Sequence, residues 1–194
     1  MAILMRRNLE YPFTATKVRK LKVGQAVSVS GRIVTGRDKL HKSLAEGGRS
    51  PVSLADGAIY HCGPVVIRKD GAWVVRAAGP TTSMRQDLYM PRIIEHHHLR
   101  VIIGKGGLGE RTRQACAKFG CVYLQTVGGA GAVLAETVKQ VADVHFLKEF
   151  GDAEAMWVFV VKGLKAVVTM DAHGRSLHKK VRISSRRALN RVIR

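Results

Sequence analysis

The sequence Gly-Pro-Thr-Thr-Ser-Met-Arg, residues 79–85, divides the chain into two differently patterned halves. It ends an apolar, strand-like run at residues 72–78, because glycine frees the backbone and proline has no N–H group for a β ladder. Three hydroxyl side chains and an arginine then follow, a combination that suits the binding of a small anion. The same letters also describe a turn before a helix, with Thr82 or Ser83 as the N-cap.

Strand patterns predominate in the half that precedes this segment. Residues 23–35 alternate between apolar and polar side chains, which predicts a half-buried strand. A short helix at residues 39–45 and a strand at 58–62 are predicted next. The strand-like runs 65–68 and 72–78 are separated by an Asp-Gly pair, which predicts a β-hairpin.

Helices alternate with strands in the other half. Helical spacing at residues 86–98 and 110–119 brackets an apolar strand at 99–103, and a strand at 121–127 follows. Strand, helix and strand joined by short glycine-rich links predict a parallel βαβ unit. The remaining predicted elements are a helix at 132–138 and strands at 141–146, 156–161 and 164–170. We therefore predict an α/β fold with a β-rich N-terminal half and parallel βαβ units after it.

Length and composition limit the class of protein. The 194 residues fit one domain, predicted at residues 23–177, with an N-terminal arm at 1–22 and a basic C-terminal tail at 178–194. No apolar run is long enough to cross a membrane and the first residues do not have the order of a secretory signal, so we expect a cytoplasmic protein. The three cysteines agree with a reducing compartment.

The net charge of +19 indicates a polyanionic partner. The charge is concentrated at the C-terminus, where residues 175–194 include many Lys and Arg and no Asp or Glu. This tail fits a helix that lies on an acidic partner protein, an arm that binds nucleic acid, or a solvated terminus. Composition alone does not choose among the three.

Three predicted loops share one design. Arg37, Arg85 and Lys105 each follow a strand, in a loop where glycine or proline turns the chain. Ligands of α/β sheets bind at the carboxyl ends of strands, so these cations form a cage for a small dianion if the three ends converge. Charge-assisted hydrogen bonds contribute very roughly 1.5–3 kcal/mol each, which suffices for a small carboxylate.

Histidine and cysteine positions do not predict a metal site in this chain. Successive side chains on a helix diverge by about 100°, so the run 96–98 is poorly placed to chelate one ion. Cys116 and Cys121 have no second Cys/His pair at zinc-ligand spacing, and we interpret them as buried thiols. His41 lies four residues after Arg37, where it could face the same site or serve as a capping or solvated residue.

Several segments together resemble a known enzyme family. These segments are VTGRDKLHK, IYHCGPVV, GPTTSMRQD, VIIGKGGLG, GGAGAVLA, EAMWVFVV and VTMDAHG, in this order over roughly residues 23–177. They are similar to the β subunit of the two-subunit, iron–sulfur-dependent hydro-lyases, class I fumarate hydratase and L(+)-tartrate dehydratase. The same region forms the C-terminal domain of single-chain class I fumarases.

The resemblance implies a swivelling β/β/α domain and a reversible hydration of a dicarboxylate. It also implies an iron–sulfur α subunit as partner, whose 4Fe–4S cluster completes the site, so that this chain holds no metal itself. Carried over by motif, Arg37, Arg85 and Lys105 hold the substrate carboxylates and hydroxyl. Thr81 is the implied residue for proton removal, with Lys105 as the second catalytic residue. Thr82 and His41 are implied at the substrate site.

Two other functions remain open at this point. Val101 to Gly107 followed by a helix is similar to the GXXG clamp of KH domains, and the high charge would suit RNA. A stand-alone anion sensor is the third possibility. Within the hydro-lyase interpretation, the motifs do not distinguish fumarate from L-tartrate.

Overall fold

A β-sheet lies at the centre of the protein, in a computed structural model that describes residues 7–193. Within these residues the sheet has seven strands in the order β1-β2-β3-β6-β7-β9-β8, and β4 pairs separately with β5. The strands are β1 Arg7–Glu10, β2 Ala26–Gly36, β3 Ala58–His61, β4 Val65–Lys69, β5 Ala72–Ala77, β6 Val101–Gly104, β7 Val122–Gln125, β8 Val138–His145 and β9 Met156–Met170.

The long strand β9 closes this sheet into a ring. Strands β2, β3, β6 and β7 run parallel, and β9 pairs antiparallel with both β7 and β2. The prediction of two strands at 156–161 and 164–170 was wrong, because β9 continues through Gly163. This glycine has a φ of 76°, which glycine adopts readily because it has no Cβ. Its N–H donates to Ser30 Oγ at 3.0 Å.

Helices pack against the ring. They are α1 Ala15–Arg19, α2 Asp38–Ala45, α3 Met90–His97, α4 Glu110–Phe119, α5 Gly131–Ala135, α6 Leu147–Phe150 and α7 Leu177–Val192. The predicted helix at 86–98 is interrupted, since a 3₁₀ turn at Ser83–Gln86 precedes α3. The predicted unit β6–α4–β7 is present, with parallel strands and with Gly120 ending α4 in the left-handed conformation.

Two apolar cores lie on the two faces of the ring strands. Ile33 and Ile103 belong to the interior cluster, whereas their neighbours Val34 and Ile102 belong to the cluster beneath α2, α3 and α4. Alternate side chains of a strand point to opposite faces, so a strand that is buried on both faces is apolar throughout. This explains the uninterrupted apolar run of β6. The prediction of an α/β fold is confirmed.

The hairpin β4–β5 leads the chain into the segment at residues 79–85. Asp70 and Gly71 have φ values of 52° and 78°, as a tight two-residue hairpin turn requires. The predicted hairpin is therefore confirmed. It ends beside α5, where the backbones at Gly79 and Gly131 lie close together. A Cβ atom added at Gly79 would be 3.4 Å from Gly131 Cα.

Both termini of the described chain carry regular structure. Residues 1–6 of the predicted arm lie outside the described residues, but β1 pairs in parallel with β2 and Phe13 is fully buried. The arm is thus packed against the domain over the part that is described. The basic tail forms α7, which is exposed along most of its length. Between residues 7 and 193, no helix is both long and apolar enough to span a membrane.

Candidate functional site

The parallel strands bring the predicted loops to one edge of the ring. Strands β2, β3 and β6 end at Gly36, His61 and Gly104, in adjacent positions of the sheet. The segment at 79–85 crosses this edge: Thr81 N–H donates to His61 O at 2.7 Å, and Thr82 forms a β-bridge with Lys105. All three cation-bearing loops therefore lie in one region.

A salt bridge joins the loops of Arg37 and Arg85. Arg85 Nη2 lies 3.2 Å from Asp38 Oδ2, and Asp38 directly follows Arg37. The same Nη2 donates to Thr81 Oγ1 at 3.2 Å. Gln86 Nε2 donates to the other oxygen of Asp38 at 2.7 Å. Arg85 is thus held between a carboxylate and the threonine hydroxyl, with half of its side chain exposed.

Arg37 and Lys105 are both partly exposed at this edge. The side chain of Arg37 lies across Gly63, where an added Cβ would be 2.7 Å from Arg37 Cδ. Its Nε is 3.6 Å from Glu154 Oε1. Lys105 runs past Gly128, whose added Cβ would be 3.4 Å from Lys105 Cδ. Both glycines leave room for a cationic side chain at the site.

His41 lies beneath this cluster. Its side chain is fully buried, its Nδ1 is 2.6 Å from Arg37 O, and its ring packs edge-on against His61 at 4.8 Å between centroids. The expectation that His41 faces a substrate therefore needs correction, because no part of the ring is accessible. It supports the Arg37 loop from below, and Thr81, Thr82, Arg37, Arg85 and Lys105 remain the predicted contacts.

Burial keeps both imidazoles neutral. It lowers the pKa of His41 from 6.5 to about 4. Burial, and then the repulsion that a second protonated ring beside His41 would meet, lowers the pKa of His61 well below its usual value. Neutral rings can accept as well as donate hydrogen bonds, which allows a hydrogen-bonded network to extend below the loops.

We expect acid to destabilise the protein through these two histidines. Above about pH 6.5 the rings are neutral in both states, so their contribution to stability is fully present there. As the pH falls from 6.5 towards 4, only the unfolded chain takes up these protons, and the free energy of unfolding falls by ~1.4 kcal/mol per pH unit for each. Urea denaturation at pH 7 and pH 5 measures this loss. His41→Gln should reduce it, and substitution of the exposed His96 with Gln should not; equal losses in both variants would contradict the assignment.

Four site features were not predicted as such from the sequence. Asp38 is the partner of Arg85, Ser83 Oγ lies 2.9 Å from His61 Nδ1, and Tyr123 O–H donates to Ser83 Oγ at 3.0 Å. The backbone N–H of Ser83 also donates to Lys105 O at 3.0 Å. In the sequence, Asp38 could have been found because it directly follows Arg37. Ser83 could have been found because it belongs to the run of three hydroxyl residues.

The side chains of this chain do not fit an iron–sulfur cluster. Cys62, Cys116 and Cys121 are free and buried, and burial raises the pKa of Cys62 and Cys121 although a cluster requires thiolates. Across residues 7–193, no group of three or more His, Cys, Asp or Glu could hold a metal ion. A metal cofactor at this site would depend on another chain.

The backbone of the loop at 104–107 is hydrogen-bonded differently from that of a nucleic-acid clamp. Its backbone is occupied by other parts of the protein, since Lys105 O accepts from Ser83 N–H and Gly107 N–H donates to Tyr123 Oη at 3.3 Å. A GXXG clamp needs its backbone free for phosphates. The KH interpretation therefore has no support from the structure.

Comparison with known proteins identifies relatives over most of the chain. The family model described as "Fumarase C-terminus" matches residues 4–181. A putative fumarate hydratase class I of Geobacillus stearothermophilus is 47% identical over 178 residues, which are 91% of this chain and 34% of that protein. A putative L(+)-tartrate dehydratase subunit beta of Methanocaldococcus jannaschii is 37% identical over 193 residues, with 95% of this chain and 99% of that protein covered.

A third relative agrees with these two. The L(+)-tartrate dehydratase subunit beta of Escherichia coli is 34% identical over 175 residues, with 89% of this chain and 87% of that protein covered. The chain thus spans about a third of the Geobacillus protein. It spans nearly the whole length of the Methanocaldococcus protein.

Proposed function

This chain belongs to the fumarase C-terminus family, and on that premise we propose that it is the β subunit of a two-subunit hydro-lyase. The reaction is the reversible hydration or dehydration of a four-carbon dicarboxylate: fumarate gains water to give (S)-malate, or L-tartrate loses water to give oxaloacetate. The observation that carries the proposal is the meeting of the Arg37, Arg85 and Lys105 loops at one edge of the sheet. The swivelling β/β/α fold of the family is part of the same proposal.

The partner is an iron–sulfur α subunit, and the enzyme is inactive without it. Two relatives carry the words "subunit beta" in their names, which supports a partner chain. The 4Fe–4S cluster of the family belongs to that partner, since the cysteines of this chain do not fit one. When bound, the cluster supplies a Lewis acid for the substrate hydroxyl. The free thiols support a cytoplasmic location.

The cations of this chain bind and orient the dicarboxylate. Arg37 and Arg85 hold its carboxylates, because a guanidinium matches a carboxylate in charge and in shape. Lys105 contributes a third donor, and the exposed residue Thr82 is paired with it through a β-bridge. Three charge-assisted contacts of roughly 1.5–3 kcal/mol each would hold a small diacid at micromolar to millimolar concentration.

Thr81 exchanges the proton at the carbon next to a carboxylate. A threonine hydroxyl is a weak base near neutral pH and needs a partner to activate it. Arg85 already donates to Thr81 Oγ1, and its positive charge stabilises the oxygen when it has lost its proton. The carboxylate that accepts the proton from Thr81 is expected on the α subunit. The half-buried position of Thr81 limits the access of water.

Co-expression with an α subunit under anaerobic conditions tests the proposal. Turnover of fumarate, malate, L-tartrate and mesaconate is measured side by side with the purified complex and with this chain alone. We expect the complex to act on one of the dicarboxylates and this chain alone to act on none. A complex with an intact cluster that turns over none of them contradicts the proposal. Tight, salt-sensitive retention of RNA on a filter would instead favour the KH alternative.

A further inference from the structure

Ser83 is the hydroxyl-bearing residue of the 79–85 segment that the proposed chemistry does not use. It is fully buried, unlike Thr81 and Thr82 on the same segment. A buried hydroxyl costs free energy unless it is hydrogen-bonded, so its partners determine what it does. Those partners come from three other parts of the chain.

The hydroxyl of Ser83 joins two strands. Tyr123 O–H, on β7, donates to Ser83 Oγ at 3.0 Å, and His61 Nδ1, at the end of β3, lies 2.9 Å from the same oxygen. Tyr123 Oη in turn accepts from Gly107 N–H at 3.3 Å. The backbone of Ser83 makes a further bond, from its N–H to Lys105 O at 3.0 Å. The segment is thus bound to the Lys105 loop once directly and once through the Tyr123 hydroxyl.

These bonds form a chain with one direction. Gly107 N–H can only donate, so the Tyr123 hydroxyl accepts from it and donates its own hydrogen to Ser83. Ser83 then donates to His61 Nδ1, which is free to accept because burial keeps the ring neutral. Each hydrogen bond in such a chain polarises the next and strengthens it. With Ser83 as the donor, the single proton of His61 is on Nε2, a buried atom that has no hydrogen-bond partner among the described residues.

Gly104 leaves the space that this hydroxyl occupies. A Cβ added at Gly104 would lie 1.9 Å from Ser83 Oγ and 3.2 Å from His61 Nδ1. No real Cβ atom approaches a hydroxyl oxygen so closely, because van der Waals repulsion prevents it. The residue before Lys105 is therefore a glycine for reasons of space, and the serine fits directly against the backbone of the loop.

We infer that Ser83 is a positioning residue, which clamps the segment bearing Thr81 and Arg85 to the loop bearing Lys105. Thr81 lies two residues before the clamp, and the β-bridge between Thr82 and Lys105 lies directly beside it. The clamp fixes the distance between the proton-exchanging hydroxyl and the lysine, both of which stay partly exposed. This inference rests on the proposed function for its kinetic consequence only.

The isolated full chain tests the clamp itself. Nitrogen-15 NMR should show His61 as the neutral tautomer that is protonated at Nε2, and amide exchange at Gly107 should be slow. In Ser83→Ala the tautomer preference of His61 should be lost. In Tyr123→Phe the exchange at Gly107 should be at least about tenfold faster. An unchanged His61 in Ser83→Ala, together with unchanged Gly107 exchange in Tyr123→Phe, would overturn the inference.

The assembled enzyme tests what the clamp does. Because a misplacement of about 1 Å can cost 100-fold in rate, Ser83→Ala should lower kcat by roughly 10- to 100-fold and change KM by less. Ser30→Ala is the matched control, since it also removes a hydrogen bond to a serine oxygen but lies about 20 Å from the end of β2. Ser30→Ala should leave kcat unchanged even if it lowers the melting temperature as much as Ser83→Ala does.

A second variant keeps the test decisive if Ser83→Ala does not fold. Gly104→Ala retains every hydrogen-bonding group but forces Ser83 Oγ away, and it should lower kcat in the same manner. Normal kcat in both variants of an active complex would overturn the positioning role. If the complex with the unaltered chain has no activity, the proposed function fails, and the NMR measurement on the chain alone still decides whether the clamp exists.

Discussion

Arg85→Ala should raise the KM of the assembled enzyme for its dicarboxylate by roughly 10- to 150-fold. This range follows from the loss of one charge-assisted contact of about 1.5–3 kcal/mol, at 1.4 kcal/mol per tenfold change. Half of the Arg85 side chain is exposed at the site, so its guanidinium can reach a bound carboxylate. Initial-rate kinetics over a wide range of substrate concentration measure the effect.

The contacts of Arg85 add a second, smaller effect on the rate. The guanidinium donates to Thr81 Oγ1, so its removal also deprives that oxygen of a cation and should lower kcat. Arg85→Lys keeps the charge but lacks the fork of two donors. Its KM and kcat should therefore lie between those of the unaltered enzyme and those of Arg85→Ala. Arg111, an exposed arginine of α4, is the control, and Arg111→Ala should leave both constants unchanged. A normal KM in Arg85→Ala would remove this residue from the site.

The local elements of the fold could be predicted because each carries its own signal. The Asp-Gly pair at residues 70–71 specifies a hairpin turn, and Gly120 ends a helix at the residue where the helical pattern stops. These signals depend on the conformations that a few adjacent residues can adopt. They therefore appear in the sequence without any knowledge of tertiary contacts.

The closure of the ring could not be predicted in this way. It depends on β9, which pairs with β2 along most of its length although more than a hundred residues separate them. The prediction ended one strand at residue 161 and began the next at 164, whereas the positive φ of Gly163 is accommodated inside one continuous strand. The parallel pairing of β1 with β2 joins residues twenty positions apart in the sequence, and the four residues of β1 have no distinctive alternation. Pairing over long separations is decided by the whole core and not by local pattern.

The residues of the site likewise divide into those that local sequence predicts and those that depend on the tertiary fold. Arg37, Arg85 and Lys105 could be selected because each follows a strand, and parallel strands end at a common edge. The burial of His41 could not, because its position in α2 is compatible with either side of a short helix. The partners Ser83 and Tyr123 are forty residues apart, and only the folded sheet brings them together. Supporting contacts of a site are thus less predictable than its cations.

Thr81→Ala should lower kcat by at least about 100-fold with a much smaller change in KM, since a positioned proton-transfer group contributes roughly 10²–10⁴ in rate. Among the described side chains, the hydroxyl oxygen has a hydrogen bond only with Arg85, so its removal leaves the cations of the site in place. Thr81→Ser, which retains the hydroxyl, should recover most of the rate. Exchange of the substrate's carbon-bound hydrogen with deuterated water should be lost in parallel with kcat in the alanine variant. If exchange and turnover persist in Thr81→Ala, the proton is handled by another group, which this chain or its partner must supply.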